Sequence, residues 1–315
     1  MEPEPEYYDV DGMKRILALS IGKFDRLSPL PNSMCDKGLI LRTFSKLGFR
    51  PTQEKDDTLT ALDATKLITK FCQKFSEGKE KNDPLKRMKC LAVYLKSHGG
   101  LDATRGTFMN FKDQQIPVWD LLEPLLNHEL LKGVPKIVIF EGCRGTNSIY
   151  RRAGDQTPEI KPPTAGVKVH RRVDTIFFAA SPESEYAYTV TDPEKPSPFT
   201  EAFCEELDQN PSIDVYDLSN RIVARLKDQP ISLDNEPIEY LMAPCTETSL
   251  TKRLRLYNVR EKHDTKRYMP AGGTPPSGAI ESQREEIRFL RAEREKLILE
   301  NQNLQLDLNH ARNRK

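Results

Sequence analysis

An α/β fold, with a mostly parallel sheet flanked by helices and a C-terminal α-helical coiled coil after it, is expected from the sequence on three grounds. Short apolar runs alternate with segments of helical period, the pattern of a doubly wound sheet. One run, Ile137 to Phe140, is apolar throughout, as a strand covered on both faces requires. From Ile280 the period becomes a heptad.

Residues 1–12 open with Met-Glu-Pro-Glu-Pro-Glu and read as a short disordered leader. Arg15 to Ile21 is a first strand, and Asp36 to Leu47 a helix with apolar residues at 39, 40, 41, 44 and 47, closed by Gly48. A short strand over Phe49 to Thr52 and an amphipathic helix over Thr60 to Phe75 follow. The third strand, Cys90 to Leu95, ends in Ser97-His98-Gly99-Gly100. Val118 to Leu131 repeats the helical spacing and leads into the strand Ile137 to Phe140, which breaks at Glu141-Gly142-Cys143-Arg144-Gly145. Residues 147–170, with Arg151, Arg152, Asp155 and three prolines, have no period and read as an exposed linker. Val173 to Ala180 resumes as a strand, Phe199 to Leu207 and Ile213 to Leu226 as helices, and Glu239 to Ala243 with Leu250 to Tyr257 as the last strand material. The domain ends near Val259, and residues 260–278 form a flexible linker. The coiled coil over 279–311 places Ile280, Ile287, Arg294, Asn301 and Leu308 at first positions and Gln283, Leu290, Leu297 and Leu304 at fourth positions. Asn at a first position facing Leu at a fourth favours a parallel pair.

Net charge is +1, which gives no electrostatic case for nucleic acid or an anionic membrane as partner. No apolar stretch approaches the ~20 residues that span a bilayer, and the acidic, proline-broken N-terminus is unlike a secretory signal, so a cytoplasmic protein is expected. The six cysteines contain no Cys-x-x-Cys pair, which argues against a disulfide framework or a zinc site. Neither a metal nor a cofactor is expected, since no phosphate-binding glycine motif follows any strand. A cysteine where a central strand ends lies at the carboxyl edge of the sheet, where open α/β sheets hold ligands. Cys143 is therefore a candidate nucleophile, and His98, just past another strand end, its candidate base.

These residues resemble the motifs of the caspase family of cysteine endopeptidases. Glu141-Gly-Cys-Arg-Gly145 stands at the family's nucleophile motif, with Ser97-His98-Gly99 upstream at the spacing of its histidine. Pro182, the segment Phe199 to Leu207 and the stretch Pro244 to Tyr257 extend the resemblance over about residues 13–258. It implies a caspase-like, mostly parallel six-stranded sheet without a long prodomain, a large-subunit-like part at 13–146, an inter-subunit linker at 147–170 and a small-subunit-like part at 171–259. It further implies a protein or peptide substrate, catalysis by Cys143 and His98, an oxyanion hole from the backbone N–H groups of Gly99 and Cys143, and a role in apoptosis or related signalling. Pairing of two copies through the last sheet strand is implied as well, and the 279–311 zipper would promote it.

The substrate pocket departs from the family. Where caspases carry an arginine, a glutamine and a second arginine for an Asp side chain, this chain has Leu30, Glu141 and Tyr188. An Asp there meets a like charge and no guanidinium, so efficient cleavage after Asp is not expected. Two readings stay open: a pocket for another side chain, basic ones included because Glu141 suits them, or a weakly active or inactive homologue that acts as a decoy or modulator by pairing with another caspase. Linker cleavage at Asp155 would speak for Asp specificity, and cleavage at Arg152 for a basic one.

Overall fold

The computed structural model of the protein describes residues 6–52, 57–77, 87–102, 105–145, 172–183, 185, 187, 189, 190, 192–227 and 244–257. Its main sheet has six strands: β1 (Met13–Ser20), β2 (Phe49–Pro51), β3 (Met88–Lys96), and, after a separate three-stranded sheet formed by β4 (Gly99–Asp102), β5 (Gly106–Asn110) and β6 (Gln115–Pro117), β7 (Lys136–Glu141), β8 (Thr175–Ala179) and β9 (Cys245–Thr248). Their order across the main sheet is β2-β1-β3-β7-β8-β9, parallel except for β9, while the small sheet is antiparallel throughout.

The helices cover both faces because the central strands β1, β3, β7 and β8 are apolar on both. Ile16, Ala18, Tyr94 and Ile139 meet α1 (Ser33–Lys46), α4 (Pro198–Gln209) and α5 (Val215–Lys227) on one side. Leu17, Leu19, Val93 and Val138 meet α2 (Ala61–Glu77) and α3 (Val118–Leu126) on the other. Aromatic contacts lock each side: Phe44 packs edge-on against Phe49 at 5.0 Å, and Trp119 tilts against Phe177 at 5.0 Å. The chain order runs outward in opposite directions from β1 and β3, which makes their carboxyl ends the switch point at which open α/β sheets hold ligands.

Three expectations change. The expected leader is ordered from residue 6: Tyr8 N–H bonds the Arg253 carbonyl at 2.9 Å, its hydroxyl donates to Asp174 at 2.6 Å, and Val10 is buried. Leu250 to Tyr257, expected as strand, makes only single bridges, Tyr7 with Arg253 and Asp214 with Arg255, because its partners are this N-terminal segment and a loop. The last strand is instead the polar Cys-Thr-Glu-Thr of β9. The helix expected over Val118 to Leu131 stops at Leu126, just after Pro124, and resumes as a 3-10 turn at Glu129–Leu131. The strand expected at Glu239 to Ala243, the linker sites Arg152 and Asp155, Tyr188, and the coiled coil over 279–311 lie outside the described residues.

Candidate functional site

β3 and β7 are in-register neighbours whose last pair is Lys96 with Glu141. Both therefore end at one level, and the Ser97 N–H still reaches the Glu141 carbonyl at 3.2 Å. Two residues further on from these ends stand His98 and Cys143, and the Gly99 backbone that follows His98 lies against the Cys143 carbonyl. Glycine makes this approach possible. A Cβ on Gly99 would stand 2.7 Å from the Cys143 carbonyl oxygen and 2.9 Å from that of Phe108, and one on Gly142 would stand 2.7 Å from the carbonyl of Ser97. Gly99 begins β4, so the two backbone N–H groups expected to hold an oxyanion belong to segments in van der Waals contact.

His98 is fixed from two sides. Its Nε2 lies 2.7 Å from the Ser28 carbonyl, and Phe24 packs on the ring at 4.9 Å between centroids. A carbonyl only accepts, so Nε2 carries the proton and Nδ1 keeps the lone pair, the form needed to take a proton from a thiol. Burial holds the imidazole below its ordinary pKa, assisted by the Lys96 charge and opposed by Ser28. Burial likewise pushes the Cys143 thiol up, and the thiol donates to the Ala187 carbonyl at 3.6 Å. Among the described residues no hydrogen bond joins Cys143 to His98. At rest the thiol is thus neutral and turned to Ala187, and the imidazole is neutral and turned to Ser28. Alkylation of Cys143 by iodoacetamide is expected to be slow at neutral pH and to climb steeply above about pH 9. Rapid labelling in weak acid would reveal a preformed thiolate–imidazolium pair instead.

Of the expected pocket residues, Leu30 is 8% exposed and Glu141 only 4%. The Glu141 carboxylate is already engaged: it accepts from Lys96 Nζ at 3.0 Å, from the Tyr94 hydroxyl at 2.7 Å and from Thr200. Lys96 also donates to Asp36 in α1 and to Ser197 at 2.6 Å, and Asp36 accepts the Ser197 N–H at 2.7 Å. The view of Glu141 as a free carboxylate facing a substrate therefore changes, because an internal ammonium takes that place. Sequence reasoning missed Lys96 and Asp36. The legible signal was a lysine closing an otherwise apolar strand at the position opposite Glu141.

Two carboxylates share one ammonium here, and their pKa values part. Burial and the Glu141 charge push Asp36 up to about 7 against the pull of Lys96. Burial alone would raise Glu141 as well, but Lys96 and the hydroxyls of Ser197, Thr200 and Tyr94 hold it below its ordinary value. A carboxyl whose pKa is raised by folding binds its proton more tightly in the fold, so its stabilising share is complete below the unfolded value of 3.8 and is lost as pH rises through about 7. The melting temperature is expected to fall between about pH 4 and about pH 7 and to level off above that, and Asp36→Asn to flatten that slope. An equal slope in the variant would place the titration elsewhere.

Arg144, next to the sulfur, is 2% exposed at its side chain. It donates to Thr107 at 3.0 Å, to the Cys245 sulfur at 3.0 Å, and to Glu183 and Glu247 at 2.9 Å each, so it ties β5, β9 and the loop after β8 to the end of β7.

A family model of the caspase domain matches residues 13–255. The chain belongs to the caspase family. Among curated caspases, caspase-13 and caspase-4 of Bos taurus are each 24% identical over 184 residues, covering 54% of this chain and 46% of theirs. Caspase-14 of Mus musculus is 27% identical over 150 residues, covering 46% of this chain and 51% of its own. The chain thus spans about half the length of the curated caspases it matches. The crystal structure of caspase-1 from Spodoptera frugiperda superposes with a TM-score of 0.62 at 17% identity, covering 82% of this chain and 96% of that one. The fold is therefore caspase-like, with the mostly parallel six-stranded sheet expected, and the domain is of the caspase cysteine-peptidase type.

Proposed function

We propose that this caspase is a cysteine endopeptidase in which Cys143 attacks the scissile carbonyl, His98 takes the thiol proton at Nδ1 and passes it to the leaving amine, and the N–H groups of Gly99 and Cys143 bind the oxyanion. The observation that carries this reading is the close seating of the Gly99 backbone on the Cys143 carbonyl, with His98 held beside it in the tautomer a base requires. The pocket formed near Leu30 and Glu141 does not suit Asp. Pairing of two copies through β9, the edge strand of the main sheet, and through the 279–311 zipper extends the same reading, as do a cytoplasmic location and a part in apoptosis or related signalling.

The observation that favours the second reading is the thiol resting on Ala187 rather than on His98. A homologue that stays in this state serves as a decoy or modulator that pairs with another caspase. A peptide library incubated with the full chain separates the two. Cleavage lost in both Cys143→Ala and His98→Ala supports the peptidase. No cleavage by concentrated protein, together with no labelling of Cys143 by peptidyl electrophiles, overturns it in favour of the modulator.

A further inference from the structure

We propose that Lys96 is a specificity-determining residue, the internal occupant of the pocket beside Cys143, and that the pocket consequently takes a neutral substrate side chain before the scissile bond and disfavours both carboxylates and cations. The inference rests on the peptidase reading above and names the substrate class of that same site.

The placement comes from one short segment. Ala187 accepts from the Cys143 thiol at 3.6 Å, and two residues later the Thr189 hydroxyl lies 3.5 Å from Lys96 Nζ. Two residues of chain span at most about 7 Å, the reach of one side chain. A side chain of a peptide seated on the sulfur therefore has the reach to meet this cluster. The cluster draws on separate elements: Asn32, two residues beyond Leu30, accepts from the Thr189 hydroxyl at 2.8 Å and donates to Ser197 at 3.2 Å, and Glu141 accepts from Lys96 at 3.0 Å.

The charge count decides what fits. Asp36, Glu141 and Lys96 together carry one excess negative charge when all are ionised, and their side chains are 0%, 4% and 2% exposed. An incoming carboxylate adds to that excess in a dry site. An incoming ammonium or guanidinium finds both carboxylates already occupied by Lys96, whose three protons face Asp36, Glu141, Ser197 and Thr189. Displacing it would leave a buried cation unpaired. A neutral side chain meets neither obstacle. The burial-raised pKa of Asp36 agrees with a site that already holds more negative charge than it readily carries.

The test compares peptides that differ only in the residue before the scissile bond: Ala, Gln, Asp or Lys. Wild type is expected to cleave the Ala or Gln peptide at least about tenfold more efficiently than the Asp or Lys peptide. Lys96→Ala vacates the cation, so its Lys-to-Gln ratio is expected to rise at least about a hundredfold, and ethylammonium to reverse the change and raise the melting temperature. Where Lys96→Ala fails to fold, Glu141→Gln replaces it: the cluster becomes neutral, and the Asp-to-Gln ratio is expected to rise about tenfold. A purely structural lysine would lower all rates together and leave the ratios unmoved, which overturns the proposal. Wild type that prefers Asp or Lys overturns it as well. Absence of any cleavage or labelling of Cys143 overturns the peptidase reading beneath it. Failure of ethylammonium to stabilise folded Lys96→Ala rejects the cation pocket while leaving that reading intact.

Discussion

Gly99→Ala is expected to lower the rate of labelling of Cys143 by a peptidyl electrophile, and any peptide cleavage, by at least about a hundredfold while costing about 1–3 kcal/mol of stability. The new methyl meets two backbone oxygens, those of Cys143 at 2.7 Å and Phe108 at 2.9 Å, together with the Phe140 ring at 2.7 Å. Real Cβ contacts are not that short, and neither oxygen belongs to a flexible side chain. Relief has to come from moving the β4 entry or the Cys143 peptide, and both carry the proposed oxyanion donors. A displacement of about 1 Å suffices for a hundredfold loss when attack depends on near-van-der-Waals alignment. Gly133→Ala provides the control. Gly133 has φ of 72°, where alanine is strained, but its added methyl would meet no heavy atom within 4 Å, so the substitution is expected to cost about 1 kcal/mol and leave labelling unchanged. Equal labelling in Gly99→Ala and wild type would show that the two loops are not coupled through this contact.

Much of this site was legible because its positioning follows from strand ends. Cys90 to Leu95 and Ile137 to Phe140 are uninterrupted apolar runs, and such runs fix central parallel strands wherever helices cover both faces. Once they are neighbours, the segments that carry His98 and Cys143 leave the sheet at one edge with no further information. The helices were legible for a similar reason, since their buried residues recur at helical spacing. β9 was not, because Cys-Thr-Glu-Thr is polar and gains its place from pairing with β8 at the sheet edge. The small β4–β6 sheet escaped notice too: it opens on two glycines, its strands are short, and its alternation is weak. The ordering of residues 6–12 depends on Tyr8 reaching Asp174 and Arg253, contacts that no local window contains.

The charge cluster shows the same limit in its sharpest form. Glu141 was visible as a departure in the nucleophile motif, but the ammonium that pairs it was not. What it faces depends on Lys96 across the strand pair, Asp36 in α1 and Ser197 before α4. Those partners are brought in by the sheet order and the packing of α1 beside α4. The carboxylate is therefore held by an internal lysine, a partner that no reading of the nucleophile motif alone supplies.

Arg144→Met is expected to lower the melting temperature by about 5–15 °C, corresponding to about 2–4 kcal/mol, and at the same time to speed alkylation of Cys143 several-fold. The two effects have one cause. The guanidinium spans Thr107, Cys245, Glu183 and Glu247 and lies 5.5 Å over the Phe177 ring, a fan of donors that methionine lacks. The ion pairs themselves contribute little of the cost: Glu183 is 60% and Glu247 41% exposed, and Arg172 still bonds Glu247 at 3.0 Å. The larger share comes from the buried Thr107 hydroxyl, which loses its donor, and from the Phe177 face, which loses its cation. Glu183 stands in the loop that also bonds the Arg144 N–H through the Glu185 carbonyl at 2.9 Å and supplies Ala187 to the thiol. Freed of the guanidinium, that loop opens more often, the sulfur gains water, and the burial that raises its pKa is relieved. Glu183→Gln, which removes only a screened charge, is expected to change the melting temperature by less than about 2 °C. Arg144→Met that destabilises the fold while leaving alkylation at the wild-type rate would mean that the loop over Cys143 is held by its own contacts, and that Arg144 serves the sheet alone.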